Sequence, residues 1–308
     1  MSALRLSIKI DVDTERGTRE GVPALRRLLE SRHIPATFLF SLGPDNTGRA
    51  IRRMFRPGFF QKVSRTSVVS VYGVRTLMNG VLLPGPNISR RHADIMRGVA
   101  GSGFETGIHC WDHVFWQDKL HKLSQARVFE EFDKARAAYE DVFGAPARTA
   151  GAAGWQASAS SLAAYDNARL DYATDVRGDH PFYPVAEGRQ FRTLQIPTTL
   201  PTLDEMMGRP EYPADTLADF LLSRLRPGHN EVFTIHAEIE GMMMLDWFAG
   251  FLDKAQGRGV EFVAQAEEAA MLRKQGGIDV AELQQGEVDG RSGTMAVQGP
   301  SVAKGNAP

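Results

Sequence analysis

The chain has 308 residues, 43% of them hydrophobic and 24% charged, with a formal net charge of −1. This is the composition of a globular protein able to bury a sizeable core, and the near-zero charge excludes a global attraction to nucleic acid or an anionic membrane, so either would need a local cluster. The single cysteine, Cys110, excludes an intrachain disulfide, and no secretory-signal pattern or run of about eighteen apolar residues is present, so the expected location is cytoplasmic.

Residues 4–13 read as a buried strand that ends in two carboxylates, Asp11 and Asp13. Strand side chains alternate faces, so the two point the same way and repel each other. A bound cation, a shared proton or exposure at a strand end would each compensate. A helical pattern over 21–31 and a strand over 36–42 follow. Residues 46–93 then contain no acidic residue but carry Arg49, Arg52, Arg53, Arg56, Lys62, Arg65, Arg75, Arg90 and Arg91. Apolar residues including Met54, Phe55, Phe59, Phe60, Val68 and Tyr72 are interleaved with them. A connection of this length between two strands predicts an insertion with helices of its own.

A helix over 90–100 and a strand over 105–109 lead into Gly107-Ile108-His109-Cys110-Trp111-Asp112-His113. Histidines four apart on a helical turn put both imidazoles on one side, able to grip one ion, although such a pair alone equally suits a structural or surface position. Together with Asp13 the pair gives two imidazoles and one carboxylate, the ligand set of catalytic metal sites that keep a position open for water. Cys110 points oppositely and reads as packing; Asp112 reads as solvated or as supporting a ligand.

Further on, a helix is expected over 123–143, a strand over 171–175 that delivers Asp175 and Arg177, a strand over 190–196 and a helix over 214–225. In the strand 231–236, Val232, Thr234, His236 and Glu238 share one face while Phe233, Ile235 and Ala237 share the other, against helices. His236 then sits at the mouth, or is a hydrogen-bonded core histidine. A helix over 245–256 and a strand over 260–263 complete the pattern. Residues 276–308, rich in Gly, Gln and small polar side chains without periodicity, read as a disordered tail. Alternating strands and helices imply an α/β sheet or barrel with helices outside, and sites gather at the C-terminal strand ends, where Asp11 and Asp13 lie.

Taken together these residues resemble the polysaccharide deacetylase family, the NodB-homology metal-dependent amide hydrolases. The resemblance spans roughly residues 4–270 and implies a distorted (β/α) barrel of about seven strands. It implies Asp11 as catalytic base, His236 as general acid, and Asp13, His109 and His113 as ligands of one divalent ion, for which zinc, cobalt, manganese and iron all suit. The runs Ile10-Asp11-Val12-Asp13-Thr14, Arg16 to Pro23, Ser41 to Asn46, and Thr234-Ile235-His236-Ala237-Glu238 look most like members that deformylate an undecaprenyl-phosphate-linked amino sugar in lipid A modification and polymyxin resistance. The alternatives are a deacetylase of another amino sugar and a non-catalytic carbohydrate- or lipid-binding module. The family's middle motif supplies an arginine that orients the base, whereas Ala150-Gly151-Ala152-Ala153-Gly154-Trp155 has none; Arg177 and Arg16 are the candidates to replace it, with Asp175 and Glu238 as further supporting residues. A lipid-linked substrate implies a peripheral position on the anionic cytoplasmic face of the inner membrane, for which Arg49, Arg52, Arg53, Phe55, Arg56, Phe59, Phe60 and Lys62 form a suitable surface; nucleic acid is not an expected partner.

Overall fold

The computed structural model describes residues 3–50 and 68–302. Of the expected membrane-surface residues, Arg49 falls within this range, whereas Arg52, Arg53, Phe55, Arg56, Phe59, Phe60 and Lys62 lie outside the described residues. The fold is a curled, mostly parallel sheet. β1 (Arg5–Val12) pairs in parallel with β2 (Ala36–Ser41) and with β9 (Asn230–His236). From β2 the sheet continues through β3 (Glu105–Cys110), β4 (Thr149–Ala150), β5 (Tyr172–Ala173) and β8 (Leu194–Gln195). Beyond β8 the chain returns to β9, where Thr199 N and Leu200 N both donate to Val232 O. These seven parallel strands, with a short eighth at Glu261–Phe262 beside β1 where a strand is expected over 260–263, form the distorted barrel that the family resemblance implies.

The period of two explains which way each strand faces. In β1, Leu6, Ile8, Ile10 and Val12 enter the main apolar cluster beneath the helices, together with Val22, Leu25 and Leu29 of the helix Val22–Ser31. Ser7, Lys9 and Asp11 therefore face the barrel interior. In β9, Phe233, Ile235 and Ala237 join the same cluster, leaving Thr234 and His236 on the inner side. The helix Gln125–Phe143 starts at Ser124, whose side chain accepts from Arg127 N, and stops at Gly144, which takes φ 71°; both are favourable end residues.

Of the expected disordered tail, residues 276–308, Asp279–Glu287 and Thr294–Ser301 instead form strands. β11 (Asp279–Glu287) pairs in parallel with β6 (Phe182–Ala186) and antiparallel with β12 (Thr294–Ser301), so the segment extends the sheet as a hairpin. Its sequence hides this because the pairing comes from backbone groups, and few large apolar side chains mark it. Ala281, Met295 and Ala296 are nevertheless buried. Arg177 fastens the hairpin, its N donating to Ala296 O and its O accepting from Gln298 N. Truncation before Asp279 should remove this edge and expose Phe182, Val176 and Ala157, which pack on it. Re-exposing one buried Met-sized side chain costs about 1.5–3 kcal/mol, so the truncated protein should melt several degrees lower in differential scanning calorimetry; an unchanged melting temperature would show the hairpin to be dispensable.

Candidate active site and metal centre

The mouth of the barrel gathers the ends of β1, β3 and β9. β3 carries one residue more than its partner here: Phe40 pairs with Ile108 and Ser41 with Cys110, so His109 is the residue left over. Such a bulge re-aims a side chain at a strand end. Asp112 then caps the helix His113–Lys119, accepting from Phe115 N at 3.0 Å. The two histidines thus straddle a strand end and a helix start instead of sharing one helical turn, yet their rings lie 5.3 Å apart. Asp112 is a buried cap rather than a solvated group, held also by Asn46 Nδ2 at 2.6 Å. Cys110 is buried away from the site, and burial pushes its thiol pKa well up.

Asp13 Oδ1 lies 3.1 Å from His109 Nε2 and 3.4 Å from His113 Nε2. The three residues offer ligand atoms within 4.8 Å of one another, a candidate site for one metal ion. Asp13 Oδ1 and His109 Nε2 are both buried, and neither has a hydrogen-bond partner among the described residues. Atoms this close that do not hydrogen-bond to each other converge as ligands of a common cation would. His109 Nδ1 sits 2.6 Å from Gly151 O, which fixes the proton on Nδ1 and leaves the Nε2 lone pair for the ion. Without the ion, the nearby imidazoles hold the Asp13 carboxyl well below its usual range, outweighing the opposing effect of burial.

Asp11 stands beside this cluster. Its Oδ2 accepts from Lys9 Nζ at 2.9 Å; its Oδ1 is buried without a hydrogen-bond partner among the described residues and lies 3.8 Å from His109 Nδ1. Neither candidate for the absent arginine takes this place. Arg177 pairs with Glu205 and Leu200 O, and Arg16 pairs with Glu20 at 3.0 Å. The cation on Asp11 is Lys9, a residue the sequence reading passed over although it shares the inner face of β1 with Asp11. Asp175 is fully buried, accepts from Ala152 N and Gln195 Nε2, and is pushed up to about 6 by burial.

His236 lies opposite Asp11 in the β1–β9 register. Its backbone N donates to Glu240 Oε2 at 2.8 Å, and its buried Nδ1 has no hydrogen-bond partner among the described residues. Its ring meets the edge of Trp155 at 6.3 Å. Trp155, at φ 52°, is itself ringed by cations: Arg291 at 4.6 Å, Lys9 at 5.0 Å and Arg177 at 5.2 Å from ring centroids. Arg291 comes from the C-terminal hairpin and also pairs with Glu205 and Asp204, so the segment expected to be disordered furnishes part of the wall. Glu238 Oε1 accepts from Thr14 Oγ1 at 2.7 Å, Thr14 N at 2.9 Å and Asp13 N at 3.2 Å, pinning the end of β1. A Cβ on Gly17 would overlap the Glu238 carboxylate, which explains the glycine.

Burial pushes Glu240 up to about 8, from an ordinary value of 4.5. The folded protein therefore holds a proton on Glu240 that the unfolded chain releases, and stability falls as pH rises from about 4.5 to about 8. Glu240→Gln removes that loss while keeping an acceptor for His236 N. The variant should match the parent near pH 4.5 and exceed it in melting temperature at pH 8; a difference independent of pH would contradict the assignment.

A protein of Shewanella sediminis named "Probable 4-deoxy-4-formamido-L-arabinose-phosphoundecaprenol deformylase ArnD" is 34% identical over 302 residues, covering 97% of this chain and 96% of the relative. The chain belongs to the ArnD deformylase family. A second ArnD-named relative, from Wigglesworthia glossinidia brevipalpis, is 30% identical over 92% of this chain and 98% of its own. The activity in both relatives' names, removal of a formyl group from a formamido sugar, is hydrolysis of an amide C–N bond. The fold agrees: a Mycobacterium smegmatis protein assigned as a polysaccharide deacetylase superposes with TM-score 0.64 at 17% identity, covering 93% of this chain and 96% of that one. PuuE allantoinase superposes with TM-score 0.59 at 15% identity, covering 87% and 90%. No protein-family model matches the chain.

Proposed function

We propose that this ArnD-family chain is a metal-dependent deformylase that cleaves 4-deoxy-4-formamido-L-arabinose-phosphoundecaprenol to formate and the 4-amino sugar lipid, in lipid A modification and polymyxin resistance. The observation that carries the reading is the convergence of Asp13, His109 and His113 within 4.8 Å beside the unpartnered Asp11 Oδ1. A formamide resists neutral water, and its amine leaves poorly unless protonated. When bound by Asp13, His109 and His113, a divalent ion supplies Lewis acidity, taking a water pKa from about 15.7 to about 7 and offsetting oxyanion charge. Asp11, as base, takes the proton of the attacking water at Oδ1. His236, as acid, gives a proton to the departing sugar nitrogen. Each positioned transfer is typically worth roughly 10² to 10⁴ in rate. Asp175 and Glu238 act from behind, holding the Ala152 and Asp13 backbones.

No helix among the described residues is long and apolar enough to cross a membrane; in this reading the lipid-linked substrate is met at the cytoplasmic surface of the inner membrane. The insertion suits that task. Val74, Val81 and Leu82 are 63%, 58% and 74% exposed, and Arg49 donates to Gly80 O at the start of the same turn. At about 1 kcal/mol per Lys or Arg near an anionic surface, reversing four of Arg49, Arg52, Arg53, Arg56 and Lys62 should release the protein from phosphatidylserine-containing vesicles; unchanged cosedimentation would refute the surface. The function itself is tested by presenting formylated and acetylated forms of the lipid-linked sugar to the purified protein. Formate release from the first, with little acetate from the second, supports deformylation. The reverse preference would make it a deacetylase, and turnover of neither would leave a binding module.

A further inference from the structure

Lys9 is 0% exposed and lies inside the barrel on β1. A lysine is almost never fully buried unless paired, because removing its ammonium from water is costly. Among the described residues its ammonium donates to Asp11 Oδ2, at 2.9 Å. The aliphatic stem passes over Gly151, where a Cβ would come within 3.1 Å of Lys9 Cε, and the ammonium stands 5.0 Å from the centroid of Trp155. The neighbouring carboxylate Asp175 is already engaged by Ala152 N, Gln195 Nε2 and Tyr165 OH. Packing on several sides thus leaves the ammonium aimed at one oxygen of Asp11, while the other oxygen is buried and unpartnered.

We propose that Lys9 is the positioning residue of Asp11: by holding Oδ2 it sets the rotation of the carboxylate, so that Oδ1 is the oxygen presented to the proton, and its charge offsets that of Asp11 beside Asp13. The inference rests on the reading of Asp11 as the base. It separates the two aspartates of β1 physically. The metal ion answers for one carboxylate and the lysine for the other.

The test compares formate release from the formylated lipid-linked sugar by Lys9→Met, Lys9→Arg, Asp11→Asn and the double variant Lys9→Met/Asp11→Asn, each with its bound metal measured. Loss of orientation by about an ångström costs about 10²-fold in rate. Lys9→Met should therefore lower kcat about 10²-fold with KM and metal content near those of the parent, a split that a merely structural lysine would not give. Lys9→Arg, which keeps the charge and a donor, should restore most of kcat. In the Asp11→Asn background Lys9→Met should cost nothing further in rate, and the double variant, which removes both charges of the buried pair, protects folding. The proposal is overturned by a Lys9→Met kcat close to the parent's, by a further large loss in the double variant, or by Lys9→Arg behaving no better than Lys9→Met. Where Lys9→Met alone fails to fold, the arginine and double variants decide by the same criteria. Parental activity in Asp11→Asn alone would instead overturn the reading of the base.

Discussion

His109→Ala should abolish both the bound divalent ion and formate release. The side chain is buried at the extra residue of the β3 bulge, its Nδ1 tied to Gly151 O at 2.6 Å and its Nε2 aimed at Asp13 Oδ1. No neighbour can replace it, since His113 is fixed separately by the helix that Asp112 caps. Loss of an outer partner of a metal ligand typically costs about 10- to 100-fold in affinity, and loss of the ligand itself should exceed that. Two readings check it: metal content of the dialysed protein, and the rise in melting temperature on adding the ion. An ion present at about 100 times its dissociation constant stabilises by about 2.7 kcal/mol, so the parent should show the rise and the variant should not. A variant that keeps stoichiometric metal would remove His109 from the ligand set.

Asp11→Asn should retain the ion and lose turnover. Asparagine occupies the same volume but cannot accept the proton, so kcat should fall by about 10² to 10⁴, the range for a positioned proton transfer. The same substitution leaves Lys9 buried without its counter-charge, and breaking a buried pair by removing one partner costs about 3–5 kcal/mol. A variant with full metal, a lower melting temperature and little formate release is the expected result. One with full metal and parental turnover would assign the base elsewhere.

How much of this the sequence shows depends on whether a residue's partner is local. The period of two along β1 and β9 is local, and it correctly assigns Phe233, Ile235 and Ala237 to the helix side. The same period places Lys9 on the face of Asp11, so an inward lysine two residues before it was readable. Its role was obscured because the residues that make it buried, Gly151 and Trp155, belong to another strand end. The spacing of His109 and His113 suggests a shared helical turn; the bulge and the Asp112 cap, which decide otherwise, depend on pairing with β2. β5 and β8 fall within the strands expected over 171–175 and 190–196, whereas β4, Thr149–Ala150, is two residues long, too short for any periodicity to register. The C-terminal hairpin is held by backbone pairing to β6 and by Arg177, which composition cannot reveal, and Arg291 was lost with it.

The central claim is that one ion is held by Asp13, His109 and His113 next to Asp11. Anomalous diffraction from crystals of the active enzyme, recorded at the absorption edge of its bound metal, tests this most directly. The account predicts a single strong peak within about 2.0–2.2 Å of Asp13 Oδ1, His109 Nε2 and His113 Nε2, with Asp11 outside bonding distance and its Oδ2 still on Lys9. A peak coordinated by other residues, or fully active enzyme with no peak at this position, would contradict it.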